Sequence, residues 1–365
     1  MFNTKKRCAQ RGQRMNDRKR QENVIIAVFV GITVCLFWMS LTVFKSEVFR
    51  ADLDYLLFLQ SIRDRVGNVI NRIFVGITDL GSVYPTLVIL AIVYFGIDPD
   101  LGQKMIRVVG TAFMINGIMK LSVCAFRPWV RDTSIVPLQK ATGYSFPSGH
   151  TSNAVGVYGT IGIEYKNRKR WLAVAMLILI ILIGFSRNYV GAHTPQDVIA
   201  GFCSSAVVLL FMKKFEKFES TGEKRRKVWM FLGMTVAVSI ITIIYYELKA
   251  YPIPPVVNGE MLADTMELVI DSYEAIGIWV GVAAVAVLHE YKPGCRTEGV
   301  SVGVRILRIV AGLLLLLALR KFLAIPFGLI LPKRYMKVAV NFLLIFVGFG
   351  VYSSAVEMWA EKGGK

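Results

Sequence analysis

The stretch 144–197 opens with Tyr144-Ser145-Phe146-Pro147-Ser148-Gly149-His150 and closes with Ser186-Arg187, five residues, His193-Thr194-Pro195-Gln196-Asp197. Pro147-Ser148-Gly149-His150 predicts a turn feeding a helix. A helix start offers unpaired backbone N–H groups and a partial positive charge, which suits an anion such as phosphate. Thr194-Pro195 predicts an N-cap followed by the first helical residue, so Asp197 lies one turn from His193. A carboxylate at that distance fixes an imidazole's tautomer and supports the positive charge it acquires. Upstream, Lys120 and Arg127-Pro128 close an apolar run. Two cations there are costly without an anion to share.

Outward from these blocks the chain is dominated by apolar runs. Hydrophobic residues make up 55% of the sequence and the mean hydropathy is +0.53, while many runs approach the ~20 residues that cross a bilayer. The expected fold is all-α, a polytopic transmembrane helical bundle of about ten spans. The net charge of +18 suggests nucleic acid at first sight. The Lys and Arg residues cluster between apolar runs, however, which is the pattern that orients membrane helices, and no nucleic-acid partner is expected. Cys8, Cys35, Cys124, Cys203 and Cys295 show no paired or metal-like spacing, so neither disulfide nor zinc is expected.

The three blocks, with their spacings, resemble the type 2 phosphatidic-acid phosphatase family and its relatives, the lipid phosphate phosphatases and vanadium haloperoxidases. The resemblance runs from Leu56 to Met212, and the combined pattern is far more specific than any one piece. It implies that His150 is the general acid and His193 the nucleophile, with Asp197 orienting His193. It also implies that Lys120, Arg127, Ser148, Gly149 and Arg187 bind phosphate.

Charge placement sets the expected topology. Residues 1–22 form a basic segment expected in the cytoplasm, followed by an apolar run from Val24 to Phe44 that is longer than a signal-peptide core and is retained as a first span. Asp52 to Leu80 mixes apolar patches with Arg63, Asp64, Arg65 and Arg72 at helical periodicity and reads as an amphipathic helix at the outer interface. Val83 to Ile97 returns inward and Ile106 to Val123 goes out, delivering Lys120, Arg127 and His150 to the extracytoplasmic side. Asn153 to Tyr165 descends to Lys166, Arg168, Lys169 and Arg170, Trp171 to Phe185 returns, and Val198 to Met212 descends to the basic stretch Lys213 to Lys227. Both histidines thus meet at one face. The expected location is the plasma (cytoplasmic) membrane.

The expected organisation is therefore a basic segment at 1–22, a phosphatase core at 23–212, a basic linker at 213–227 and an added helical section at 228–365, packed against the core. In that section Asp264, Glu267, Asp271 and Glu274 recur every three or four residues along one helix face. They are expected to pair with Arg320-Lys321 and Lys333-Arg334, as Glu290 is with Arg305 and Arg308. A cation or substrate path is the sharper alternative.

The core has no Cys-x5-Arg loop and no carboxylate cluster, and the chain has no Gly-x4-Gly-Lys-Ser/Thr sequence. Metal-free nucleophilic catalysis without a cofactor is the expectation, through a phosphohistidine as the resemblance implies. The substrate class is a lipid phosphate or diphosphate, with undecaprenyl diphosphate, phosphatidate, phosphatidylglycerophosphate and a phosphorylated sphingoid base all open. A lipid-phosphate carrier or flippase, or a phosphotransferase, built on the same core is the alternative.

Overall fold

A computed structural model describes residues 2–43, 50–257 and 260–363, with the side chains of 2–19, 257, 260 and 362–363 left out. The side chains of the basic leader, Cys8 included, therefore lie outside the described residues, as does Phe44 at the end of the first apolar run. The chain is an all-α polytopic bundle. Helix α1 covers Phe2–Thr42, α2 Ala51–Val66 and α3 Asn68–Asp79. Helix α4 (Val83–Ile92) ends in a π turn at Val93–Ile97, followed by α5 (Pro99–Val123) and the single turn α6 (Pro128–Arg131). Helices α7 (Gly149–Ala154) and α8 (Thr160–Tyr165) are one continuous helix joined by a π turn at Val155–Gly159. Then come α9 (Arg170–Tyr189), α10 (Pro195–Glu219), α11 (Lys224–Leu248), α12 (Thr265–His289) and α13 (Val302–Ile330). Helices α14 (Lys333–Ile345) and α15 (Tyr352–Gly363) are again joined by a π segment. A two-residue strand pair, β1 (Val256–Val257) with β2 (Glu260–Met261), decorates the α11–α12 loop.

Among the described residues eight helices are long and apolar enough to cross a membrane, and nine if the bent α3–α4 pair counts as one span. In a bilayer every backbone polar group must be satisfied internally, and helices do this segment by segment. Local chemistry places the helix ends. Asp98 caps α5 by accepting from Leu101 N at 3.0 Å, with Pro99 in the first turn. Cys124, at φ 53°, closes the same helix in the left-handed region.

The single amphipathic helix expected at Asp52 to Leu80 is instead two. Gly67, at φ 82°, breaks it, and α3 meets α4 at 57° across Leu80-Gly81-Ser82. That break is held by α7 and the π turn, since Asn153 Nδ2 donates to Gly81 O at 3.2 Å and Tyr158 Oη to Leu80 O at 3.0 Å.

The C-terminal section packs into the centre of the bundle. Helix α12 is the most buried of the spans, whereas α1 and α13 are the least. It lies against α5, α11 and α14, and Trp279 Nε1 donates to Thr111 Oγ1 on α5 at 3.1 Å. Gly277 makes the α14 contact possible, because a Cβ there would sit 2.1 Å from Val338 O. The ion pairs differ from the expected ones. Glu274 pairs with Lys337 and Glu247 with Arg334 at 3.0 Å. Arg320 lies over the Tyr84 ring at 5.1 Å. Glu290 pairs with Lys224 at 2.5 Å, while Arg305 donates to the carbonyls of Val300 and Thr297, and Arg308 to that of Arg296. Helix packing brings the partners of Glu274, Glu247, Glu290 and Arg320 together from distant sequence, so spacing along one helix does not reveal them, whereas Arg305 and Arg308 bond to the loop just before their own helix.

The two ends of the bundle differ in chemistry. One carries the Lys166–Arg170 loop and the ion pairs Lys104–Glu164 at 3.1 Å and Arg107–Glu219 at 2.5 Å. The other gathers the loops 124–148 and 190–194.

Candidate active site

At that second end the candidate residues come from four segments: Lys120 from the last turn of α5, Arg127 from the loop after it, His150 from the first turn of α7, and Arg187, His193 and Asp197 from the α9–α10 turn. The turn is built as its sequence requires. Thr194 is the N-cap of α10 with Pro195 in the first turn, and Asp197 Oδ2 accepts from Thr194 N at 3.0 Å. Asn188 Nδ2 donates to His193 O at 2.9 Å, closing the loop from the other side. The two motif segments touch through backbone. Ser148 N donates to Asp197 O at 2.9 Å, and Gly201 permits the approach, since a Cβ there would meet Ser148 O at 2.6 Å.

His193 is buried at 1% exposure. Its Nδ1 faces Asp197 Oδ2 at 3.4 Å and Ser145 Oγ at 3.5 Å, and its Nε2 faces Arg127 Nη1 at 2.8 Å. Arginine is a donor only, so Nε2 is the acceptor and the proton resides on Nδ1, pointing at the carboxylate. Burial, then the positive charges of Arg127, Arg187 and Lys120, hold the imidazole well below the ordinary histidine value of 6.5. A neutral ring whose Nε2 carries a lone pair rather than a proton is the nucleophilic form of an imidazole, and here that lone pair is held by Arg127.

Asp197 is more than a partner for histidine. Its Oδ2 also accepts from Ser145 Oγ at 2.5 Å, a shorter contact than that to His193. Ser145 was not singled out by the sequence, although it stands beside the motif that was. Arg127 is spent largely on backbone: Nε donates to Gly143 O at 2.9 Å, Nη1 to Ala192 O at 3.1 Å and Nη2 to Thr142 O at 2.5 Å. Lys120 Nζ donates to Tyr144 O at 2.7 Å and Pro147 O at 2.9 Å. Asn116, one turn before it, donates to Ser152 Oγ at 3.0 Å.

Arg187 differs from these two. It is fully buried, and only Nη1 is bonded, to Thr78 Oγ1 at 2.8 Å and Gln139 Oε1 at 3.5 Å. Its Nε and Nη2 have no hydrogen-bond partner among the described residues. Leaving a buried donor unmade costs ~1–3 kcal/mol, and more for a charged group, so this guanidinium is set up for an acceptor that none of the described residues supplies.

Ser148 serves as the cap of α7, its Oγ accepting from Thr151 N at 3.4 Å and Thr151 Oγ1 at 2.9 Å. Its own N–H is committed to Asp197, so the open amides of this helix start are those of the following residues, Gly149 and His150. Burial, then Arg187, His193, Arg127 and Lys120 around it, holds the His150 imidazole well below the ordinary histidine value. It packs on the α3–α4 break, where a Cβ on Gly81 would meet His150 O at 2.8 Å.

Two residues of α2 hold the site from outside. Arg63, 3% exposed, donates to the carbonyls of Tyr189 at 3.3 Å and of Val136. Asp52 accepts from Arg131 Nη1 at 2.6 Å and from Gln196 Nε2 at 2.7 Å, next to Asp197. Arg63 is one of the charges expected at the outer interface, and Asp52 begins that stretch. A cavity of about 480 Å³ opens beside Arg127 and is lined in part by Trp129, Lys140, Thr142, Asp264 and Glu267.

A family profile described as the PAP2 superfamily matches residues 104–221, a segment that contains every candidate site residue. Phosphatidylglycerophosphatase B of Bacillus subtilis is 30% identical over 159 residues, covering 40% of this chain and 76% of that protein. An undecaprenyl-diphosphatase of the same species is 31% identical over 152 residues, again covering 40% and 76%. A crystal structure of a transmembrane PAP2-type phosphatidylglycerolphosphate phosphatase from Bacillus subtilis aligns with a TM-score of 0.45 and 25% identity, over 53% of this chain and 98% of that one.

Proposed function

Because this chain belongs to the PAP2 superfamily, we propose that it is an integral-membrane lipid phosphate or diphosphate phosphatase that works through a phosphohistidine on His193. The observation that carries the reading is Arg187, a fully buried guanidinium with two donor groups unpartnered among the described residues, in the field of a neutral histidine. A phosphoryl group supplies the missing acceptors, and charge-assisted bonds to its oxygens are the strong kind.

In the proposed reaction Nε2 of His193 attacks phosphorus as the bond to the lipid-side oxygen breaks. Arg127 passes from Nε2 to a phosphoryl oxygen, and with Lys120, Arg187 and the amides of Gly149 and His150 it stabilises the charge on the equatorial oxygens. The ring gains positive charge, which Asp197 supports through Nδ1–H. His150, which takes up a proton together with the anionic substrate, gives it to the departing oxygen and then takes a proton from water, whose oxygen attacks phosphorus and breaks the P–N bond. Inorganic phosphate leaves and both histidines return to their starting state.

The site faces the extracytoplasmic side, with the N-terminus in the cytoplasm and the protein in the plasma membrane. The support is charge: the Lys166–Arg170 loop and the basic stretch Lys213 to Lys227 lie at the opposite end of the bundle, and basic loops resist translocation. The test is release of inorganic phosphate by purified protein in detergent from phosphatidate, phosphatidylglycerophosphate and undecaprenyl diphosphate, with His193→Ala as control. Turnover of one class that His193→Ala abolishes is expected. Steady turnover in His193→Ala would end the mechanism, and lipid binding with no phosphate released by the wild type would favour a carrier.

A further inference from the structure

Helix α12 lies beyond the segment that the family profile covers, yet it reaches the candidate site. Thr142 Oγ1 donates to Asp271 Oδ2 at 2.5 Å. Thr142 begins a run of three residues whose carbonyls hold two of the three phosphate-site cations: Thr142 O and Gly143 O accept from Arg127, and Tyr144 O accepts from Lys120. Gly143 sits at φ 70°, in the left-handed region, where a Cβ would lie 3.7 Å from Asp271 Oδ2. Tyr144 is fully buried in a cluster with Leu268, Val269 and Tyr273 of the same helix. Residues 142 and 144 are thus both fastened to α12, which leaves the intervening carbonyls turned toward the cations. Helix α12 is in turn anchored by Glu274–Lys337 and by Trp279 on α5.

We infer that Asp271 is a positioning residue for Arg127, acting through Thr142, and that the C-terminal helical section braces the phosphate cradle of this protein. Asp271 contacts no reacting atom. It fixes the Thr142-Gly143 backbone, which fixes the plane of a guanidinium whose Nη1 stands 2.8 Å from His193 Nε2. The inference rests on the reading of Arg127 as a phosphate ligand.

Six variants of the full-length protein in detergent test it, assayed for phosphate release and for inhibition by orthovanadate, a mimic of the five-coordinate phosphoryl group. Asp271→Ala removes the acceptor and Thr142→Val the donor at nearly constant volume. Asp271→Asn and Thr142→Ser keep the bond. Expected is a roughly tenfold rise in both KM and the vanadate inhibition constant for Asp271→Ala and for Thr142→Val, the worth of a hydrogen bond to a charged group. The double variant should go no further, because both changes break one link. Asn and Ser variants should stay close to wild type. KM and the inhibition constant do not depend on the fraction of folded protein, so partial unfolding cannot imitate the result. Unchanged constants in Asp271→Ala and Thr142→Val, alongside an Arg127→Ala protein that has lost vanadate binding, overturn the inference and leave the site intact. An Arg127→Ala protein that still binds vanadate and turns over overturns the reading of the cradle itself, and the inference with it.

Discussion

Replacing Asp197 by Asn separates the carboxylate's charge from its hydrogen bonds. Oδ2 accepts from Ser145 Oγ at 2.5 Å and Thr194 N at 3.0 Å and faces His193 Nδ1 at 3.4 Å. An asparagine with its carbonyl oxygen in that place accepts from the same three donors, so the His193 tautomer survives. What disappears is the negative charge beside a ring that becomes positive in the phosphohistidine. Two unit charges ~4 Å apart interact by ~4 kcal/mol at an effective dielectric of ~20, and the amide dipole retains part of this. A loss of ~2–4 kcal/mol in transition-state stabilisation, or roughly 30- to 1000-fold in kcat, is expected. Asp197→Ala removes the acceptor as well, leaving the buried Ser145 hydroxyl and Thr194 N–H unmet at ~1–3 kcal/mol each. It should therefore lower Tm where Asn does not. Phosphate release at saturating substrate and thermal unfolding followed by intrinsic fluorescence read the two effects separately. Wild-type kcat in Asp197→Asn would refute the electrostatic role, and an unchanged Tm in Asp197→Ala would refute the structural one.

The depressed His193 value has a linkage consequence. Below pH 6.5 the unfolded chain takes up a proton that the folded protein refuses, so stability is full above that pH and falls by ~1.4 kcal/mol per unit below it. Tm should drop between pH 6.5 and 5, and less steeply in His193→Gln; identical slopes would rule His193 out as the cause. Sidedness is read by labelling in an otherwise cysteine-free protein. Val136→Cys, exposed on the loop before the site, should react with a membrane-impermeant maleimide in intact cells, and Asn167→Cys, also exposed, only after permeabilisation. The opposite pattern would move the reaction to the cytoplasmic leaflet.

The all-α bundle was legible because apolar runs long enough for a bilayer admit little else, and charge clusters between them constrain which loops share a face. Residues close in sequence were legible too: Thr194, Pro195 and Asp197 build a helix start from local rules, and the i, i+4 spacing puts Asp197 beside His193. The stretch from Asp52 to Leu80 has the helical periodicity of a single amphipathic helix, and Gly67 divides it in the structure. Tertiary contacts from Asn153 and Tyr158 hold the bend that follows it.

Only the tertiary structure decided what completes the site. Arg187 meets Thr78 across 109 residues, Ser145 meets Asp197 across 52, and Asp271 meets Thr142 across 129. A motif spacing reports which side chains share a turn or a helix face. It carries no record of how far one helix slides or rotates against another. That register is set by close contacts such as Gly277 on Val338 and Gly201 on Ser148, where the absence of a Cβ lets backbones meet, and it exists only once the helices are packed.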